Sequence, residues 1–135
     1  MFDIFTLFSS FQDVGMLIAR IIFGIIFIYF GLPKLKNLKS NANDFVSMGF
    51  KPGWLWGTAV ALLEVFGGLA VIVGLWIEVF ATIFAIHMIV GTIWKIAKTE
   101  KPFTDWSYDL LLLALAIIFA VAGSGAYALG NLGLY

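Results

Sequence analysis

The sequence predicts an all-α protein: an antiparallel bundle of four membrane-spanning helices, preceded by a short helix at the membrane interface. Of its 135 residues, 62% are hydrophobic and only 12% are charged, whereas soluble domains are about 45–50% apolar and about 25% charged. The apolar residues also fall into four runs, each close to the roughly 20 residues that a membrane helix needs. A soluble core of this size could not bury them all, so we expect lipid to be their solvent.

The N-terminal helix is predicted from the spacing of its aromatic residues. Four phenylalanines recur every three residues ahead of the first span: Phe2, Phe5, Phe8 and Phe11. Such a stripe suits a short helix that lies in the membrane interface, and the alternative is an apolar extension of the first span. No Lys or Arg precedes the first span, so we expect it to be retained rather than cleaved as a signal peptide.

Four spans make up the single predicted domain, 1–135. Their expected limits are 14–32, 54–75, 77–96 and 107–126. By these limits a single residue separates the second and third spans, which predicts a tight antiparallel turn near Trp76 and Glu78. The segment 37–53 is predicted as a loop with one or two helical turns, because its apolar pattern is short.

The lysines predict the orientation of the bundle. All seven lysines lie in or at the edge of the two loops that join spans one to two and three to four: Lys34, Lys36, Lys39, Lys51, Lys95, Lys98 and Lys101. Cytoplasmic loops carry the excess of Lys and Arg, and with four spans both loops share one side. We therefore expect a prokaryotic cytoplasmic membrane, with both termini outside the cytoplasm.

Small residues predict where helices approach one another closely, because helix association in lipid depends on backbone contact. In span two these are Gly67 and Gly68. In span four a small residue recurs every four positions: Ala116, Ala120, Ser124 and Ala128. We expect this stripe to face another helix, either within the bundle or in a partner.

Three ionisable residues fall well inside the predicted spans, away from the span ends: Arg20, Glu64 and His87. Such groups are costly in hydrocarbon, so they usually face the bundle interior and mark functional sites. With about 1.5 Å of rise per residue, they lie roughly 9, 16 and 15 Å below the outer ends of their spans. We therefore expect all three to meet in the outer half of the bundle, with Arg20 and Glu64 interacting directly or through a shared ligand or water.

Two interpretations of this cluster remain open. Arg20 and Glu64 could form an ion pair that is purely structural, and a buried ion pair is weak evidence of function. Alternatively, the three residues could bind a polar headgroup or relay protons, since burial perturbs a carboxyl group and histidine titrates near neutrality.

A second polar group is expected at the cytoplasmic rim. Its members are Lys34, Lys95, Asp105 and Asp109. Asp109 lies near the start of span four, where a carboxylate complements the helix dipole or pairs with Lys34 or Lys95. The sequence contains no hydrolase or phosphate-loop motif, so we assign no catalytic residue.

The charge balance and the missing cysteines exclude several functions. Eight basic residues balance eight acidic ones, which leaves no field to attract nucleic acid. The chain has no cysteine and one histidine, so it lacks thiol chemistry, iron–sulfur ligation and a protein-built metal site. Redox chemistry would require a borrowed cofactor or a partner.

Three segments together resemble the DoxX family of small four-helix membrane proteins, over nearly the whole chain. They are Arg20 with Gly31-Leu32-Pro33-Lys34, then Glu64 with Gly67-Gly68 and Gly74, and finally Gly123-Ser124-Gly125-Ala126-Tyr127. Members of this family are linked to quinol oxidase and thiosulfate:quinone oxidoreductase assemblies, and to membrane complexes that join thiol and superoxide detoxification. The resemblance brings no shared catalytic motif with it, so it assigns no catalytic residue to this chain.

The resemblance implies an accessory subunit that anchors or stabilises a membrane oxidoreductase, with no catalysis by this chain alone. Lipid and other membrane subunits, or a second copy of the chain, are the expected partners. One alternative is a quinone- or lipid-binding redox protein, with Arg20, Glu64 and His87 around the headgroup. Another is transport of protons or a small solute, which has less support because transporters use broken helices.

Overall fold

The computed structural model describes residues 3–132, and its architecture is the expected helical bundle. Four of its helices are long and apolar enough to cross a membrane: Gln12–Lys36 (α2), Gly53–Val73 (α4), Ile77–Lys98 (α5) and Phe103–Ala122 (α6). Two short helices accompany them, Ile4–Ser10 (α1) and Leu38–Ser47 (α3). The predicted fold class is confirmed.

Helix α1 begins at a side-chain cap and presents its aromatic residues outward. The backbone N–H of Phe5 donates to the Asp3 carboxylate at 3.2 Å, which satisfies one of the free donors at a helix start. Phe5 and Phe8 are exposed, as an interfacial helix requires. Phe2 lies outside the described residues.

Helix α2 is longer than the predicted 14–32, because it continues through Pro33 to Lys36. A proline in the last turn removes one helical hydrogen bond but leaves the preceding turns intact. One face is buried against the other helices, at the three- and four-residue spacing typical of an amphipathic helix: Arg20, Phe23, Gly24, Phe27 and Gly31.

The segment predicted as a loop contains a full helix, α3, which is packed against α4. The side chain of Asn37 caps it by accepting from Ser40 N–H at 3.2 Å. The buried amide of Asn41 donates to the carbonyl of Gly57 at 2.8 Å. Gly53 permits the contact, because a Cβ there would lie 2.1 Å from the carbonyl oxygen of Ala42.

The turn between α4 and α5 lies where the sequence predicts it. Gly74 ends α4 in the left-handed conformation at φ 74°, which glycine adopts at little cost. Leu75 N–H donates to Ala70 at 2.9 Å and Gly74 N–H to Val71 at 3.2 Å, the two bonds of a Schellman motif. Helix α5 then begins at Ile77, so the two helices run antiparallel.

Helix α6 begins four residues earlier than predicted and ends four residues earlier. It starts after Pro102 and stops at Gly123, whose φ is 80°. Residues 123–132, which we name the C-terminal cover, fold back over the end of the bundle. Ala126 N–H donates to Asp13 Oδ1 at 2.9 Å, and Gly130 N–H donates to the carbonyl of Gly74 at 3.2 Å.

A cluster of phenylalanine rings joins the helices at the centre. Phe23 meets Phe84 and Phe119 edge-to-face, with ring centroids 5.4 Å apart in both pairs, a favourable aromatic arrangement. Phe27 adds a fourth ring, 4.2 Å from that of Phe84. Aliphatic side chains on the outer faces stay exposed, as lipid-facing residues do.

Candidate functional site

The polar residues inside the bundle divide between its two ends. The end that carries the C-terminal cover and the Gly74 turn is named the termini end. The opposite end carries the seven lysines and is named the lysine end. Arg20 belongs to the termini end, whereas Glu64 lies toward the lysine end.

An ion pair between Lys34 and Glu64 joins α2 to α4. The Nζ of Lys34 donates to Glu64 Oε1. The side chain of Glu64 is 3% exposed and that of Lys34 is 33% exposed, so the carboxylate is the more deeply buried partner. A carboxylate in that position requires a partner, because an unpaired buried charge is strongly destabilising.

Glu64 lies on an irregular turn of α4. Residues Leu63–Gly67 form a π-helical turn, which is rare and frequently found at functional sites. Gly31 of α2 lies directly against it, since a Cβ on Gly31 would be 2.6 Å from the Glu64 Cβ. The close approach of the two backbones brings the carboxylate within reach of Lys34.

A second ion pair, between Lys95 and Asp109, joins α5 to α6. Lys95 Nζ lies 2.7 Å from Asp109 Oδ2, with side chains 27% and 12% exposed. Of the two partners that the sequence left open for Asp109, the structure selects Lys95. Lys34, expected at the rim, instead reaches inward to Glu64. Asp105 is exposed in the first turn of α6.

His87 lies on α5, about two helical turns before Lys95. It is half-buried, and its ring centroid is 6.4 Å from that of Phe27. We name His87 and the two ion pairs the inner charge cluster. Thr92, which the sequence analysis did not single out, is also buried here on α5, and its hydroxyl has no partner among the described residues.

The inner charge cluster brings charged and hydrogen-bonding groups into the bundle. It combines carboxylates, ammonium groups and an imidazole. A single threonine in an apolar helix forms no recognisable sequence motif, so the sequence did not identify Thr92 as a buried polar residue.

Arg20 lies apart from this cluster, beneath the C-terminal cover. Its side chain is fully buried, and Nη2 donates to the carbonyl oxygen of Tyr127. The other guanidinium nitrogens, Nε and Nη1, have no hydrogen-bond partner among residues 3–132. Gly74 lies against Nη1, since a Cβ there would be 2.2 Å away.

The direct pair predicted between Arg20 and Glu64 is therefore not formed. Glu64 lies at the level of Gly31 on α2, and Arg20 at the level of Gly74 on α4. The eleven residues from Arg20 to Gly31 correspond to roughly 16 Å of helix. The depth estimate was wrong because α2 projects beyond the Gly74 turn, so the outer ends of the two spans do not coincide.

Most of the predicted packing residues lie at helix contacts. A Cβ on Gly68 would lie 2.9 Å from the carbonyl oxygen of Gly24, and one on Gly67 would lie 3.1 Å from the Phe84 ring. Within the stripe predicted on span four, Ala116 is buried and Ala120 packs against the core. Ser124 and Ala128 lie beyond the end of α6 at Ala122, so they belong to the C-terminal cover and not to a helix stripe.

Four apolar spans with charged side chains paired between them define the class of the protein: an integral membrane helical bundle. More narrowly, the chain belongs to the DoxX family, whose family model matches residues 15–98. The chain is also 34% identical, over 118 residues, to "Putative oxidoreductase CatD" of Bacillus subtilis (strain 168), an alignment that covers 87% of this chain and 85% of that protein. No solved structure matches.

Proposed function

We propose that the chain is an accessory membrane subunit that anchors or stabilises an oxidoreductase, while a partner carries the redox centre. The family relative is named as an oxidoreductase, yet this chain has no cysteine and one histidine. A redox role is therefore more consistent with a cofactor or partner supplied from outside.

The two ion pairs that join helices carry this proposal. Lys34–Glu64 ties α2 to α4, and Lys95–Asp109 ties α5 to α6. In both, the charged groups satisfy each other, which is what a rigid scaffold requires. A scaffold that presents a fixed apolar surface within the bilayer is suited to hold another membrane subunit.

The proposed orientation places the lysine end in the cytoplasm of a prokaryotic cell. The seven lysines in the loops support it, because positively charged loops are retained on the cytoplasmic side. Both termini and the C-terminal cover would then face outward.

A quinone- or lipid-binding role is the second candidate, and one observation favours it. His87 is half-buried beside the Phe27 ring. A quinone headgroup carries carbonyl acceptors, so a half-buried imidazole, which can donate a hydrogen bond, fits it. The residues that would hold it are those of the inner charge cluster, and Arg20 is too distant to contribute. The quinone would supply the redox chemistry.

Purification from native membranes tests the proposal. The tagged chain, extracted in mild detergent, should bring down subunits that contain haem, flavin or copper, which absorbance spectra and mass spectrometry identify. Lys36→Ala changes an exposed lysine of α2 and should retain those subunits. Isolation of the wild-type chain without any redox subunit would refute the accessory role. Quinone in lipid extracts of the chain purified alone would support the second candidate.

A further inference from the structure

The unused hydrogen-bonding capacity of Arg20 is the basis for a further inference. A guanidinium carries five N–H donors in one plane. The structure uses Nη2, on the Tyr127 carbonyl, and leaves Nε and Nη1 unpartnered in a side chain that is 0% exposed. Buried donors of this kind are normally satisfied, so this group has room for an acceptor that the described residues do not provide.

Arg20 forms no ion pair among residues 3–132. Glu64 is paired with Lys34, and Asp109 with Lys95. Two carboxylates share the end of the bundle that holds Arg20: Asp13, two helical turns away on α2, accepts the N–H of Ala126 through Oδ1, and Glu78 lies against Gly123. An uncompensated charge within a membrane helix is costly, which favours an anionic ligand over a neutral one.

The backbone around Arg20 leaves space for the guanidinium. Gly74 must lack a side chain, because its Cβ would lie 2.2 Å from Nη1 and 2.4 Å from the Cβ of Ala128. Above it, few hydrogen bonds among the described residues attach the C-terminal cover to the rest of the bundle: Ala126 N–H to Asp13, Gly130 N–H to the carbonyl of Gly74, and Arg20 Nη2 to the carbonyl of Tyr127.

Two glycines allow the cover to move. Gly123 and Gly125 each have φ 80°, and glycine residues have unusual rotational freedom. A segment held by few contacts opens at low free-energy cost compared with the helices. Opening at these glycines would expose Arg20 to the membrane surface at the termini end.

We propose that Arg20 anchors a binding site for a phosphate group, which enters when the C-terminal cover opens. The planar guanidinium matches phosphate by parallel N–H bonds. Nε and Nη1 lie on different edges of the guanidinium, and each edge also carries one N–H of Nη2, so a phosphate can bind two parallel donors at either edge. The phosphate is either free in solution or carried by a lipid headgroup, because both present the same oxygens to a guanidinium.

The test uses the full chain, purified and delipidated in maltoside detergent without phosphate. Its unfolding midpoint is followed by tryptophan fluorescence while inorganic phosphate or phosphatidylglycerol is added at constant ionic strength. Because a ligand stabilises the state that it binds, wild type should gain roughly 5 °C or more at about 100 times the dissociation constant. A gain with inorganic phosphate identifies a free anion, and a gain with the lipid alone identifies a headgroup.

Variants determine whether Arg20 is responsible. Arg20→Gln should lose the gain, Arg20→Lys should retain only part of it, and Lys98→Gln, at the opposite end, should keep it. Asp13→Ala removes the acceptor on α2 that holds Ala126 of the cover and should increase the apparent affinity several-fold. No gain in wild type with either ligand would overturn the proposal even if the Arg20 variants fail to fold. An equal loss in Lys98→Gln and Arg20→Gln would also overturn it, by showing nonspecific charge effects.

Discussion

Removing either partner of the Lys34–Glu64 pair should destabilise the bundle by different amounts. Lys34→Ala leaves the Glu64 carboxylate, whose side chain is 3% exposed, without a counterion. Breaking a buried pair in this way costs about 3–5 kcal/mol. Glu64→Ala leaves Lys34, whose side chain is 33% exposed and can turn its ammonium toward water. We expect that loss to be about half as large.

Replacing both residues should restore much of the stability, because no charge is then left unpaired. For Lys34→Ala combined with Glu64→Ala, we expect a total loss well below the sum of the two single losses. The measurement is the free energy of unfolding, from titration of maltoside-solubilised protein with a denaturing detergent, followed by circular dichroism. Lys36→Ala is the matched control.

Additive effects of the two single substitutions would refute this reasoning, since independent side chains show no coupling energy. A larger loss in Glu64→Ala than in Lys34→Ala would contradict the assignment of Glu64 as the more buried partner. Either result would require the polar contacts near α4 to be reassigned.

Three further predictions follow from the packing and the charge distribution. Gly31→Ala should cost at least about 2 kcal/mol of unfolding free energy, because the new Cβ would lie 2.6 Å from the Glu64 side chain of α4. Gly15→Ala is the control: its Cβ would have no atom within 4 Å, so this variant should be neutral or stabilising. Ala120→Leu should lower the unfolding midpoint by several degrees, as its site packs against the core, while Val121→Leu, at an 83% exposed position, should leave it unchanged. A reporter fused to the C terminus should be active only outside the cytoplasm and one inserted near Ser40 only inside, and the reverse pattern would contradict the orientation.

The helices could be predicted from sequence because lipid imposes a simple requirement on them. A spanning segment must bury every backbone polar group within itself and be apolar for about 20 residues, and composition alone reveals such runs. The ends of the helices were less certain. The termination of α6 at Gly123 depends on a backbone φ of 80°, and glycines occur throughout these spans, so the sequence gives no unique stop.

The ion-pair partner of Glu64 depends on the length of α2 and on its position relative to α4, which the sequence does not specify. Lys34 was placed at the rim because the first span was expected to end at residue 32. Helix α2 instead continues to Lys36, and helical side chains point back toward the N-terminus of their helix, so Lys34 points into the bundle. The shift of α2 relative to α4 is set by the glycine contacts, which no depth count from span ends could reveal.

The π turn Leu63–Gly67 is the place in α4 that can best accept a change in length. A π turn closes its hydrogen bond over five residues, whereas an α turn closes it over four, so deleting one residue here would leave a regular α-helix. A one-residue deletion elsewhere in α4 would instead turn one half of the helix against the other by about 100°. Among relatives of this chain, a one-residue deletion within this span should therefore fall in these five residues.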